Sequence, residues 1–159
     1  MESKSVYFTQ KKFDEVWGRV SPDVCADEDT LKTLMDYEYT DYNIYRMLSQ
    51  RYTGILRLRF SEMAKDELRH YSTLKAKYFL LSGKVYVPQH PAKFTRTAIK
   101  EILKTRYQTE CEAYEGYIKA AKSVSDPDLA NLCLRNAEEE KYHAYTQRHP
   151  HQPAEKGRI

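Results

Sequence analysis

The sequence predicts an all-α protein, a four-helix bundle made of two antiparallel helical hairpins joined by one long crossover. Three observations carry this. Four segments keep apolar residues at helical spacing. Short turn signals separate the first segment from the second and the third from the fourth, whereas a longer proline-containing stretch joins the middle two. The two halves of the chain also repeat: Glu38 to Glu110 is an offset of 72 residues, and His70 to His143 is 73.

Each element follows in order. Residues 1–28 form an N-terminal segment in which Phe8, Phe13, Val16 and Trp17 suit a short amphipathic helix ending near Ser21-Pro22. The first main helix is expected from about Asp29 to Arg51, capped by Asp29 or Thr30, with Leu31, Leu34, Met35, Tyr42, Tyr45 and Leu48 in helical register. Tyr52-Thr53-Gly54 breaks it. A second helix runs from about Ile55 to Leu81 and stops at Ser82-Gly83, a C-cap signal. Residues 84–96 contain Pro88 and Pro91 and read as an extended crossing segment. The third helix begins near Thr95 or Thr97 and ends near Lys122. Ser125-Asp126-Pro127 restarts the chain with a capping side chain and a proline at the first helical position. The fourth helix then runs to Arg148, and residues 149–159 form a tail. Short turns force antiparallel neighbours, and a single crossover between hairpins is the topology of ferritin-like folds. Residues 29–148 are therefore one bundle domain.

Composition narrows the function classes. Of 159 residues, 41% are apolar and 31% charged, a globular balance. The 26 basic and 23 acidic side chains leave a formal charge of +3, with no electrostatic footprint for nucleic acid. No stretch approaches the roughly 20 apolar residues of a membrane span, and Met1 to Gln10 does not read as a signal peptide. Cys25, Cys111 and Cys133 are odd in number and widely spaced, which argues against a disulfide framework or a cysteine zinc site. They read as packing residues, and a reducing cytoplasm is the expected location.

The chemistry lies in histidine and glutamate. His90, His149 and His151 fall in proline-flanked segments, so only His70 and His143 sit inside predicted helices. Each has a glutamate three positions earlier, Glu67 and Glu140. Residues three apart share a helix face, so one helix can offer a carboxylate and an imidazole to one metal. A single Glu-x-x-His is usually a surface pair. Two of them, on the second and fourth helices, match the positions of a two-metal bundle, which also needs a carboxylate from each remaining helix. Glu38 and Glu110 supply these. In Glu38 to Tyr45 and Glu110 to Tyr117, the glutamate and the tyrosines four and seven positions later coincide. The repeat favours Glu110 on the third helix, with Glu112 and Glu115 open as extra ligands. Asp41 and Glu138 read as surface charges.

The four glutamates lie on apolar stripes, where a lone charge is costly. Clustered carboxylates raise one another's pKa. Two divalent ions would neutralise all four and leave both imidazoles neutral. The bland alternative, a solvated acidic face, leaves the paired histidines and the repeat unexplained. Tyr45 and Tyr117 are placed to donate hydrogen bonds to the ligand carboxylates. Tyr42, Tyr71, Tyr114 and Tyr142 read as core-lining residues.

With these motifs in view, the chain resembles the rubrerythrin branch of the ferritin-like superfamily over roughly residues 29–148. The resemblance rests on Glu38 to Tyr45, Ala64 to His70, Glu110 to Tyr117 and Ala137 to His143. It implies a di-iron site in which Glu67 and Glu140 bridge both metals, Glu38 and His70 serve one ion, and Glu110 and His143 serve the other. It also implies reaction with hydrogen peroxide or oxygen and a homodimer. Two departures matter. The extra glutamate that family members carry three residues after the third-helix ligand is Ala113 here, and the chain shows no rubredoxin-like pair of Cys-x-x-Cys motifs. Electrons are therefore expected from a separate donor such as a rubredoxin.

The expected function is an oxidoreductase that reduces peroxide or oxygen at two iron ions, with Glu67, Glu140, Tyr45 and Tyr117 as candidate catalytic residues. The rivals are a ferroxidase or iron-handling protein, a manganese peroxide dismutase, and a non-catalytic bundle using aromatics such as Trp17 and Tyr86 as a contact surface. Carboxylate and imidazole suit manganese as well as iron.

Overall fold

The computed structural model describes residues 22–88 and 98–150. Four helices and no strands occur among them: α1 Pro22–Arg51, α2 Gly54–Ser82, α3 Ile99–Ser123 and α4 Pro127–Arg148. The pairs α1/α2 and α3/α4 pack as antiparallel hairpins, as the short turns require. The expected short helix around Phe8 to Trp17 lies outside the described residues. So do His90, His151 and most of the tail.

Two helix starts differ from the sequence expectation. Helix α1 begins at Pro22 rather than near Asp29. Proline fits the first helical position because its missing N–H has no intrahelical partner there, so a helix can begin at Pro22. Asp29 is then internal: its carboxylate accepts from Lys32 at 2.8 Å, and its carbonyl accepts from the Thr33 hydroxyl at 3.0 Å. Helix α3 starts at Ile99, after an Ala98 N-cap whose side chain makes no capping bond. The other ends follow their signals. Gly83 takes φ +68° and its N–H closes on the Phe79 carbonyl at 2.9 Å. Asp126 accepts from the Leu129 N–H at 2.8 Å, ahead of Pro127.

The core divides into two apolar halves. Leu31, Met35, Leu74, Leu129 and Cys133 belong to one, and Tyr45, Leu48, Phe60, Met63 and Ile102 to the other. Cys133 is buried and its thiol is pushed up to about 12 by that burial, which fits the packing role. Tyr71 is buried, whereas Tyr42, Tyr114 and Tyr142 are only half-buried and do not line the core fully. Tyr86 is also half-buried and donates to Asp36 at 2.9 Å, so it is a packed residue more than a free surface. Buried Asp27 accepts from the backbone N–H groups of Ser125 and Asp126, tying the start of α1 to the α3/α4 turn. Among the described residues no helix is long and apolar enough to cross a membrane.

Candidate metal centre

Between the two apolar halves sits a polar layer. Glu38 on α1, Glu67 and His70 on α2, Glu110 on α3, and Glu140 and His143 on α4 all point into it, and none is more than 3% exposed. Helical spacing accounts for the pairs on α2 and α4. The structure brings together all six residues singled out as ligands. Their donor atoms fall into two sets, each within 4.8 Å of one another: Glu38, Glu67, His70 and Glu140, and Glu67, Glu110, Glu140 and His143. Glu67 and Glu140 belong to both sets.

The distances show the near-twofold arrangement. His70 Nδ1 lies 3.1 Å from Glu38, 3.3 Å from Glu67 and 3.0 Å from Glu140. His143 Nδ1 lies 3.0 Å from Glu67, 3.4 Å from Glu140 and 3.8 Å from Glu110. Four of these buried atoms, Glu67 Oε1, Glu110 Oε2, Glu140 Oε1 and His143 Nδ1, have no hydrogen-bond partner. Native interiors rarely leave buried polar atoms unmatched. Four of them facing one another, all oxygen or imidazole nitrogen, fit two divalent cations of the iron or manganese kind.

Burial and neighbouring charge act against one another on the ionisable groups of the cluster. Burial opposes charge on both imidazoles, yet the surrounding carboxylates outweigh it and hold His70 and His143 well above the ordinary histidine range. Burial likewise pushes Glu67 and Glu140 up, but the imidazoles outweigh it and keep both below the ordinary carboxylate value. Glu38 is pushed well up by burial and then by the charges of Glu140 and Glu67. Glu110 is pushed well up by burial, with the Glu140 charge adding to it. The Glu140 charge raises Glu67 as well, but a net rise, expected for all four glutamates, is left only on the outer two. Metal ligands bind in their deprotonated forms, so metal affinity is expected to weaken as pH falls.

A supporting shell surrounds the six residues, and sequence reading found only part of it. Tyr45 donates to Glu110 and Tyr117 donates to Glu38, each reaching between α1 and α3. Those tyrosines were expected to act this way. Behind them, the Gln147 amide donates to the Tyr45 oxygen at 3.1 Å and the Asn136 amide to the Tyr117 oxygen at 3.1 Å, and neither amide was anticipated. The far ring nitrogens were also missed: His70 Nε2 meets Glu139 at 3.2 Å, and His143 Nε2 meets Asp66 at 3.4 Å. A signal existed, because Asp66 and Glu139 each precede an inner glutamate by one residue and repeat at the same 73-residue offset as the histidines. Hydrogen bonding to His70, helped by Arg69, holds Glu139 down to about 2.

Three other readings are corrected. Asp41 is not a surface charge: it is 8% exposed and ion-paired with Arg106, itself 8% exposed. Burial pushes the Asp41 carboxyl up to about 6 against the pull of that guanidinium. Glu112 and Glu115 are exposed and lie outside the cluster. At about 100° per residue, positions two and five beyond Glu110 turn away from it. Glu138 is exposed, as expected.

The Rubrerythrin family profile matches residues 29–149. The chain belongs to the rubrerythrin family. This ferritin-like family is a di-iron one, which agrees with the six-residue centre, and no rubredoxin domain is evident in the chain. Among curated proteins, the chain is similar to the uncharacterized protein YhjR of Bacillus subtilis. The two are 26% identical over 119 residues, covering 72% of this chain and 79% of that protein. No solved structure matches significantly.

Proposed function

We propose that this rubrerythrin-family protein is a di-iron oxidoreductase that reduces hydrogen peroxide, or oxygen, with electrons from a separate donor protein. The observation that supports it best is the pair of near-twofold-related donor sets sharing Glu67 and Glu140. In this reading Glu38 and His70 hold one ion, Glu110 and His143 hold the other, and the shared carboxylates keep the two close enough to act together. When bound, the two ferrous ions supply the two electrons needed to cleave an O–O bond.

The protein's own contribution is positioning and protection. Near-complete burial of the six ligands limits the water around them. Tyr45 and Tyr117 fix the outer carboxylates and are the proposed proton sources for the product oxygens. Asp66 and Glu139 orient the imidazoles by holding their Nε2 protons. Anaerobic loading with ferrous iron, followed by one addition of hydrogen peroxide, tests the proposal. Rapid growth of near-ultraviolet ferric absorption is expected. No spectral change would contradict it. Manganese loading followed by oxygen evolution from peroxide would favour the dismutase instead.

A further inference from the structure

A cleft of about 540 Å³ opens between α1 and α3, and Glu38 and Tyr117 form part of its wall. The volume is far beyond what the small oxidant requires. Counting roughly the liquid share of one water for each oxygen, hydrogen peroxide fills only about 60 Å³. Clefts of about 300–1,000 Å³ hold organic molecules. Leu34, Ala113 and Gly116 give it an apolar wall, while Lys119 and acids such as Asp29 and Glu112 also line it.

Gly116 is the informative residue. It lies inside α3, where glycine costs roughly 0.5–1 kcal/mol relative to alanine. Its φ is not positive, so no backbone strain requires glycine there. A Cβ at this position would meet nothing within 4 Å, so close packing does not require it either. The missing side chain instead leaves the cleft wider at the residue directly before Tyr117.

We infer that the α1–α3 cleft binds an organic hydroperoxide, its carbon body against Leu34, Ala113 and Gly116 and its oxygens toward Glu38 and Tyr117. The inference rests on the proposed peroxide reduction and names its substrate class. The O–O bond of ROOH breaks, two electrons come from the two ferrous ions, two protons are taken up, and ROH and water are released.

Gly116→Leu is the test variant. It narrows the cleft, and by helix propensity it melts no lower than the wild type. The probe is 2-phenyl-2-propanol, the alcohol product of cumene hydroperoxide, titrated into metal-free protein by nuclear magnetic resonance. It is expected to shift Leu34, Ala113 and Gly116 resonances, and Gly116→Leu is expected to weaken binding about tenfold or more. In ferrous-loaded protein, Gly116→Leu is expected to keep its single-turnover rate with hydrogen peroxide while slowing about tenfold or more with cumene hydroperoxide. An alcohol that leaves the cleft resonances unmoved, or binds a folded Gly116→Leu as well as wild type, overturns the inference. Reaction with hydrogen peroxide in a protein that binds no alcohol overturns the cleft and leaves the peroxidase reading standing. Alcohol bound in the cleft with no oxidation by either peroxide overturns the peroxidase reading, and with it the hydroperoxide as occupant.

Discussion

Across the α1–α3 face, the outer carboxylates Glu38 and Glu110 are braced by Tyr117 and Tyr45, which are at most 1% exposed and backed by buried amides. Across the α2–α4 face, the two imidazoles are braced by acids nearer the surface: Asp66, with a 14% exposed side chain, and Glu139, at 37%, joined by Arg69. Similar ligand geometry is thus held by two kinds of support. Buried hydrogen bonds are rigid, and their loss strands a partner in the dry interior. Surface pairs orient a ligand at little cost in stability, since water can replace either partner. The α1–α3 face carries the cleft, while the α2–α4 face places an acid between each imidazole and the surface.

The largest expected effect falls on both faces at once. The double variant His70→Ala/His143→Ala is expected to lose tight metal binding altogether, measured by metal content after gel filtration. Retention of two tightly held ions would remove the site assignment. Next comes the buried Asp41–Arg106 pair on the α1–α3 side. Arg106→Ala leaves Asp41 buried and unpaired, with an expected cost of about 3–5 kcal/mol in denaturant unfolding. A cost under about 1 kcal/mol would mean that water reaches this pair.

Tyr117→Phe against Glu139→Gln tests the contrast directly. Tyr117→Phe leaves the Asn136 amide without its acceptor and is expected to cost about 1–3 kcal/mol. Glu139→Gln is expected to cost less than about 1 kcal/mol while weakening metal binding about 10–100-fold. Equal stability losses from the two would erase the distinction between the faces.

The smallest effect lies away from the centre. Asp126 caps α4 and pairs with Lys77 at 2.8 Å, and Asp126→Ala is expected to cost about 1 kcal/mol near neutral pH. Burial opposes ionisation of Asp126, but Lys77 and the Leu129 N–H together outweigh it and hold its carboxyl below the ordinary 3.8. A depressed carboxyl stabilises the fold above its unfolded pKa and loses that contribution as pH falls through the folded value. The wild-type advantage over Asp126→Ala should therefore shrink as the pH drops below about 4. An advantage that grew on acidification would contradict the assigned pairing.

What the sequence made legible follows from what a single helix can show. Glu67 with His70, and Glu140 with His143, were readable because spacing of three residues decides which side chains share a face. Glu38 and Glu110 were readable because charge in an apolar stripe needs a compensating partner. Asp41 was misread although it sits one turn from Glu38, because its partner Arg106 lies on another helix. Asn136 and Gln147 depend in the same way on how α4 is rotated against α1 and α3. The cleft was hidden for a related reason: Gly116 advertises a missing side chain, but only α1 across from it turns that absence into a space.

The measurement closest to the central claim is iron stoichiometry after anaerobic ferrous reconstitution of wild type, Glu38→Ala and Glu67→Ala. A shared inner carboxylate and an unshared outer one predict about two irons per chain for wild type, about one for Glu38→Ala and close to none for Glu67→Ala. Equal loss in the two variants, or a wild type that holds no stoichiometric iron, would contradict a centre in which Glu67 serves both ions and Glu38 only one.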